Sequence, residues 1–310
     1  MKRNIHILQK AQALPILVLS VLTLMFLLTT QAVQARATIK IGSEGYTEQI
    51  LLTEITAQYL EEKGFKVDYE RGLKNQDLRD KLERNEVNLH WEYVATSYLA
   101  FHKQTYNGEP IDIIYSRVKI EDAKKDIIWL NMSNVNDTYA LAMRTEEAQQ
   151  KKIKTISDLA HYQNTIGGLT LASDPTWTSR EDDGLKPLQK KYNFSFPPKD
   201  IERIGVGQVY GNLRDGNYDV GLVYSTDGRI ASMNLTILED DRRFFPPYII
   251  TPIIHAETLR TYPELKEHLN KLSSILTDDS VMTELNSKVD VQRILIWEVA
   301  EEFLIKNGLL

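Results

Sequence analysis

Four tyrosines lie in short polar or proline-marked segments, where an aromatic ring has little reason to be part of a core: Tyr93, Tyr139, Tyr224 and Tyr248. The face of a tyrosine ring is electron-rich and attracts a cation, including one that has no N–H to donate. If the fold brings these rings together, they form a box suited to a quaternary ammonium group. Taken one at a time, each tyrosine is more typical of a half-buried packing residue. Taken together, they predict a binding site rather than a reaction centre.

The other chemistry-bearing residues predict no catalytic residue, no metal site and no cofactor. The six histidines show no metal-ligand spacing, and the chain contains no cysteine. The sequence has no nucleophile elbow, phosphate-binding loop or dinucleotide fingerprint. Acidic pairs such as Asp182-Asp183 are more typical of solvated loops than of acid–base dyads. We therefore predict that the protein is not an enzyme.

The N-terminus predicts export. Three basic residues precede a mostly apolar run over 14–28, and small residues follow at Ala35 and Ala37 with the spacing of a cleavage site. A membrane anchor is the alternative, because about fifteen apolar residues approach the lower limit for a span. We predict a signal peptide over 1–37, cleavage after Ala35 or Ala37, and a free periplasmic protein. A lipoprotein would need a cysteine, which the chain lacks.

The charge of the chain argues against nucleic acid as a partner. The whole chain has a formal net charge of −6, and residues 1–37 hold four basic and no acidic residues, so the remainder has −10. Binding to a phosphate backbone needs a basic surface instead. Acidity of this size favours solubility and raises the local concentration of cationic ligands. The length of the remainder favours two domains.

Strand-like and helix-like segments alternate twice along the chain, which is typical of parallel α/β layers. The first series predicts strands over 38–41, 65–69 and 87–93 and helices over 48–63 and 75–85. The second predicts strands over 139–143, 169–172 and 220–224, and helices that begin near Ser157 and span 185–192 and 208–215. Residues 263–310 have helical spacing and are predicted to pack on a core.

Five local sequences, in order, resemble those of the glycine betaine, carnitine and choline binding proteins of osmoprotectant ABC importers. They are Ile-Gly-Ser-Glu-Gly-Tyr-Thr-Glu-Gln (41–49), Trp-Glu-Tyr-Val-Ala-Thr (91–96), Asn-Asp-Thr-Tyr (136–139), Tyr-Ser-Thr-Asp-Gly (224–228), and Leu-Glu-Asp-Asp with Phe-Pro-Pro-Tyr (238–248). The resemblance covers essentially all of 38–310. It implies a bilobal periplasmic-binding-protein fold, type II-like, with two α/β lobes joined by two crossovers and ligand in the cleft. Lobe 1 would comprise 38–136 plus 249–310, and lobe 2 would comprise 137–248.

The resemblance also implies the ligand-binding residues. The four tyrosines match the aromatic cage of the family. Six others lack such a match and are predicted to be structural: Tyr46, Tyr59, Tyr98, Tyr192, Tyr210 and Tyr218. Thr96 follows the first cage tyrosine as in the family motif. Arg180 matches a carboxylate-binding arginine, whose planar fork suits that role, although a solvated charge in an acidic loop is the alternative. Asp137 would place a negative charge beside the cation, or serve as a turn residue.

Glu44 departs from the family pattern, which often has Lys or Gln at this position. A carboxylate there should repel the carboxylate of betaine or carnitine, unless Glu44 turns away, is protonated or pairs with Arg180. This favours choline, which has a hydroxyl and no carboxylate. The sequence therefore predicts the class of ligand but not which member of that class binds.

We predict a monomeric substrate-binding protein that captures a quaternary-ammonium osmolyte and delivers it to an ABC permease, with permease and ATPase subunits on separate chains. Two other classes stay open. One is a ligand-sensing periplasmic receptor for a membrane signalling protein, which gene neighbourhood would distinguish. The other is a periplasmic enzyme that acts on choline-like compounds, which turnover would reveal.

Overall fold

The computed structural model describes residues 38–181 and 183–310, so the predicted signal peptide lies outside the described residues. The strands, in chain order, are β1 (Thr38–Gly42), β2 (Lys66–Glu70), β3 (Leu89–Tyr93), β4 (Ile127–Trp129), β5 (Tyr139–Arg144), β6 (Leu171–Ser173), β7 (Ile201–Arg203), β8 (Val220–Tyr224), β9 (Leu235–Ile237) and β10 (Ile250–His255). They form two five-stranded sheets, with strand orders β2-β1-β3-β10-β4 and β7-β6-β8-β5-β9.

Helices surround both sheets. In chain order they are α1 (Thr47–Glu62), α2 (Asn75–Glu83), α3 (Val94–Thr96), α4 (Ile111–Ala123), α5 (Thr145–Lys151), α6 (Ile156–Thr165), α7 (Pro175–Ser179), α8 (Leu185–Tyr192), α9 (Val206–Arg214), α10 (Arg229–Ser232), α11 (Ala256–Thr261), α12 (Leu265–Ile275), α13 (Asp279–Asp290) and α14 (Ile296–Lys306). A π-helix, Ser97–Phe101, continues α3, and a 3₁₀ turn, Pro198–Asp200, precedes β7. Within the described residues, no helix has the length and apolarity needed to cross a membrane.

Both sheets are mixed, whereas the alternation of elements predicted parallel layers. β1 pairs in parallel with β2 and β3, as expected for strands that helical crossovers connect. β10 instead lies antiparallel between β3 and β4, and β5 lies antiparallel to β8 and β9. The reason is that β5 and β10 are the first strands after the chain moves from one sheet to the other, so no crossover helix sets their direction.

The sequence determines the helix ends through local chemistry. Helix α1 buries the apolar face that the spacing predicted, and the chain leaves it at Gly64, whose φ of +82° suits the residue after a helix. Helix α6 begins at Ile156, and its N-cap Thr155 lies two residues before Ser157, near which the helix was predicted to begin. The Thr155 hydroxyl accepts a hydrogen bond from the Asp158 amide, and the Asp158 carboxylate accepts one from the Thr155 amide, which completes a capping box.

The chain passes between the sheets twice, and the two connections lie side by side. Asn136 and Ile249 form an antiparallel bridge, and the Asp137 amide donates to the Tyr248 carbonyl at 3.1 Å. Helices α12 to α14 return to the core of the first sheet. Two sheets with separate cores and paired connections make the bilobal α/β fold that was predicted. The residue boundaries given for the lobes stay a prediction.

Candidate functional site

All eight residues predicted for the site line one cavity of about 930 Å³. They are Glu44, Tyr93, Thr96, Asp137, Tyr139, Arg180, Tyr224 and Tyr248. The first sheet, the second sheet and both connections between them contribute side chains. A cavity of this volume suits a small molecule. Their convergence is an observation, whereas their role in binding stays a prediction.

Tyr139 is in ring contact with two of the other three tyrosines. Tyr139 lies directly opposite Tyr224 in the pairing of β5 with β8, with ring centres 5.2 Å apart and planes tilted by 33°. Tyr248, from the second connection, meets Tyr139 edge to face at 6.4 Å and 90°. Tyr93, at the end of β3, reaches the same cavity from the first sheet. The rings therefore surround a shared space from two lobes.

Three of the cage rings are neutral phenols, and they differ in their access to solvent. Burial raises the pKa of Tyr93, Tyr224 and Tyr248 above the ordinary value for tyrosine. Tyr93 is 5% exposed and Tyr224 is 37% exposed, so a ligand would meet both a buried ring and a solvent-edge ring. Neutral rings attract a cation through their faces.

Arg180 follows α7 and is held on the second-lobe side of the cavity. Its Nη1 pairs with Asp183 Oδ2 at 3.0 Å, and its Nη2 donates to the Tyr139 hydroxyl at 3.4 Å. The guanidinium carbon lies 5.3 Å from the centre of the Tyr139 ring. A Cβ on Gly184 would come within 2.4 Å of the Arg180 carbonyl, so the close turn that orients this arginine needs a glycine.

Glu44 faces the same cavity. The Tyr46 hydroxyl donates to Glu44 Oε2 at 3.2 Å, and burial raises the pKa of Glu44. The structure pairs Arg180 with Asp183 rather than with Glu44. Of the ways in which Glu44 could tolerate a carboxylate ligand, pairing with Arg180 is not the one in this structure, and the raised pKa favours protonation.

Sequence reasoning missed several cavity residues, and two of them bear directly on the chemistry of the site. Tyr46 was predicted to be structural, but it is 42% exposed and lines the cavity. Asp183 belongs to an acidic pair that was predicted to be a solvated loop, yet it lines the cavity and binds Arg180. For Tyr46, the available signal was its place in the first motif, two residues after Glu44.

Glu48 was also missed, and it lies next to the cage. Its Oε1 accepts from the Tyr93 hydroxyl at 2.7 Å, and its Oε2 accepts from Thr226 Oγ1 at 2.7 Å and from Asn286 Nδ2 at 3.2 Å. Glu48 is 4% exposed. Because Glu48 belongs to α1 and Thr226 follows β8, one carboxyl group joins elements of both sheets. Its signal in the sequence was its position inside the Thr-Glu-Gln end of the first motif.

The cavity combines aromatic faces, several carboxyl groups and an arginine. Among the residues that the structure describes, no histidine lines it. In the ranges 38–181 and 183–310, no group of histidine and carboxylate side chains has an arrangement that could hold a metal ion.

Comparison with known proteins identifies the family. Residues 37–306 match the family described as the substrate binding domain of the ABC-type glycine betaine transport system. The chain belongs to this family. It is 35% identical to the glycine-betaine-binding protein of Pseudomonas aeruginosa over 281 residues, which cover 88% of this chain and 89% of that protein. It is 30% identical over 277 residues to the carnitine transport binding protein of Listeria monocytogenes serotype 1/2a, covering 88% of each.

A solved structure supports the same assignment. A crystal structure described as a glycine betaine/carnitine/choline ABC transporter matches with a TM-score of 0.81 at 30% identity, over 87% of this chain and 99% of that one. The family and the fold predicted from the five motifs are therefore confirmed. The protein is a substrate-binding component of an ABC transport system, and the names of its relatives denote binding and transport proteins.

Proposed function

We propose that this protein captures a quaternary-ammonium osmolyte inside the tyrosine cage and delivers it to an ABC permease. The observation that carries the proposal is the contact of Tyr139 with Tyr224 and Tyr248 around a cavity that Tyr93 also lines. Glycine betaine and carnitine, which name the relatives, share a trimethylammonium group. That group is large, weakly hydrated and without N–H donors, so ring faces suit it better than carboxylates alone.

The cation–π contacts of the cage do not by themselves supply the free energy of a micromolar affinity. Each desolvated cation–π contact contributes about 0.5 to 2 kcal/mol, so four contacts supply a few kcal/mol. A micromolar affinity needs about 8 kcal/mol. Burial of the methyl groups at about 25 cal/mol per Å² and polar contacts at the other end of the ligand supply the remainder.

The second end of the ligand decides selectivity. The cation lies among the rings beside Asp137, and the other end extends towards Thr96 and Arg180. Arg180 attracts a carboxylate, whereas ionised Glu44 repels one. With both residues on the same cavity, the protein prefers choline at a pH where Glu44 is ionised, and its tolerance of glycine betaine rises as Glu44 takes up a proton.

Capture is coupled to closure because the ligand contacts both lobes. A ligand that binds the closed state more tightly shifts the equilibrium towards it. The protein works outside the cytoplasmic membrane as a monomer, and the permease and ATPase are separate chains. Adjacent permease and ATPase genes would distinguish import from a sensory role.

Calorimetry with choline, glycine betaine, carnitine and proline betaine tests the function. The matched control ligand is 3,3-dimethylbutanol, which replaces the quaternary nitrogen of choline by carbon and so removes only the charge. We expect choline to bind and the neutral analogue to bind at least about tenfold more weakly, which corresponds to about 1.4 kcal/mol. No heat and no thermal shift from any of the four quaternary-ammonium ligands would refute the ligand class.

A further inference from the structure

Two carboxyl groups meet at the edge of the cage. Asp137 lines the cavity, and its Oδ1 is buried without a hydrogen-bond partner among the described residues. Glu48 lies behind it and is 4% exposed. The two carboxyl groups are within hydrogen-bonding contact of each other, and both contact Thr226.

Two buried carboxylates in contact do not both ionise, because their repulsion and the loss of hydration both favour a proton on one of them. The hydrogen bonds show which one. Both oxygens of Glu48 accept bonds, from Tyr93, Thr226 and Asn286, which stabilise its charged form. Asp137 has a buried oxygen without such a donor. Asp137 is therefore the better place for the proton, from which it can donate to Glu48.

We propose that Asp137 and Glu48 hold one proton between them in the ligand-free protein, and that a quaternary-ammonium ligand displaces it. This rests on the proposed function of the same cavity. A permanent cation in the cage stabilises a second negative charge beside it. The O–H bond of Asp137 then breaks, its electron pair stays on the carboxylate, and the proton passes to the buffer. The bound cation would thus be neutralised by a negative charge on Asp137 that is absent when the site is empty.

The surroundings support this charge state. Burial, followed by the charge of Glu48, raises the pKa of Asp137 well above its usual range, and burial raises the pKa of Glu48. The cation Arg229 is already bound to Asp227 at 2.6 Å and does not neutralise the pair. The titratable and charged groups that face the pair or border it are Glu44, Tyr46, Tyr93, Asp227, Arg229, Asp279 and Asp290.

Calorimetry of choline in phosphate and in Tris at one pH measures the proton directly, because the two buffers differ in heat of ionisation and choline itself has no proton to lose. We expect release of up to one proton per choline, and an affinity that rises with pH by up to about tenfold per unit. Asp137→Asn keeps the shape of the protonated acid and should release none. Glu92→Gln is the control at a buried acid that does not line the cavity, and it should leave the release in place.

Infrared spectroscopy of the ligand-free protein gives an independent readout. The carbonyl stretch of a protonated carboxyl should be present in the wild type and reduced in Asp137→Asn, and choline should remove the same band from the wild type. Glu92→Gln identifies the separate band of another buried acid. Binding of choline without proton release, or equal release from Asp137→Asn, would overturn the inference. If none of the four ligands gives heat or a thermal shift, the proposed function fails, while the infrared band still decides whether the pair holds a proton.

Discussion

Tyr139 and Tyr224 face each other across the antiparallel pairing of β5 and β8, and their ring centres lie 5.2 Å apart. Directly opposite residues place their side chains on the same face of a sheet, so backbone register brings these two rings together. A slip of one residue would turn one ring to the other face. The aromatic corner is therefore built into the sheet before any ligand arrives.

The contribution of ring faces predicts a difference between two substitutions at Tyr139. Tyr139→Phe keeps the aromatic face, whereas Tyr139→Leu keeps bulk and loses it. We expect Leu to weaken choline binding by roughly 3- to 30-fold, the equivalent of about 0.5 to 2 kcal/mol, and Phe to weaken it much less. Calorimetry measures both. Tyr162→Leu, at a core-packed tyrosine outside the cavity lining, should leave affinity unchanged, and equal losses from Phe and Leu would count against a cation–π role.

Local sequence was sufficient to predict four tyrosines that line one cavity, but not the residues that support them. Each of these tyrosines lies within one of the five short motifs. Glu48, in contrast, is 178 residues from Thr226 and 238 from Asn286 along the chain, so nothing local reveals their hydrogen bonds. Those bonds depend on how the two lobes pack.

The same limit applies to the sheets. β10 lies between β3 and β4 although it contains Pro252, and a proline, which cannot donate to a ladder, argues against an internal strand. In the structure, the Pro252 carbonyl accepts from the Leu130 amide at 3.1 Å, and β10 is buried along its length. The stabilisation from burying both faces of β10 exceeds the cost of the amide donor that Pro252 lacks. The hydrophobic periodicity of the sequence could not reveal this internal strand, because apolar and polar residues do not alternate in a strand that is buried on both faces.

Glu44 predicts ligand selectivity. Glu44→Gln removes a carboxylate from the cavity wall and keeps the side-chain shape, so repulsion of a ligand carboxylate disappears. We expect glycine betaine to bind about fivefold more tightly, from a screened interaction of about 1 kcal/mol, and choline to gain nothing. Parallel calorimetry with both ligands measures the ratio. Arg180→Met is the opposing control and should weaken glycine betaine more than choline; a ratio unchanged in Glu44→Gln would show that Glu44 does not select.

A side chain at Gly228 should cause a steric clash at the contact between the two lobes. A Cβ at this position would lie 2.4 Å from the Ser287 Cα and amide nitrogen on α13, while its φ of −59° is open to any residue. We expect Gly228→Ala to lower the free energy of unfolding by about 1 to 3 kcal/mol. In α9, Gly211→Ala meets nothing within 4 Å and should raise it by about 0.5 to 1 kcal/mol. Urea unfolding compares them, and effects of the same sign would contradict the steric explanation.

Substitution of Asp122 should cause a large loss of stability. It is fully buried and accepts from Arg79 at 2.5 and 3.0 Å, from Ser97 at 3.0 Å and from Trp129 at 2.6 Å. Ser97 begins the π-helix that carries cavity residues, so this carboxylate also supports the site. We expect Asp122→Asn to cost about 3 to 5 kcal/mol, because it removes the buried counter-charge of Arg79 and leaves this arginine only the partly exposed Glu83 as an anionic partner.

The exposed neighbour of Asp122 provides the control. Glu121 pairs with Lys124 at the surface, where 47% of its side chain is exposed. Glu121→Gln should change stability by less than about 1 kcal/mol. Urea unfolding measures the stability of both variants. Similar losses in Asp122→Asn and Glu121→Gln would contradict the prediction.

Glu92 predicts how stability changes with pH. It is 2% exposed on β3, its Oε1 accepts from the Tyr93 amide at 2.8 Å, and burial raises its pKa from 4.5 to about 8. The folded protein therefore keeps a proton that the unfolded chain loses near pH 4.5, so stability falls as the pH rises through about 8. Between about pH 6 and about pH 9, this group should lower the free energy of unfolding by about 2 kcal/mol.

Glu92→Gln isolates that effect, because glutamine still accepts from the Tyr93 amide but does not titrate. Urea unfolding at both pH values should show a smaller decline in the variant than in the wild type, by roughly the same 2 kcal/mol. Glu86→Gln, at an acid with 49% of its side chain exposed, should decline as the wild type does. If Glu92→Gln declined as steeply as the wild type, Glu92 would be ionised in the folded protein at neutral pH, and the buried end of β3 would carry a negative charge beside Tyr93.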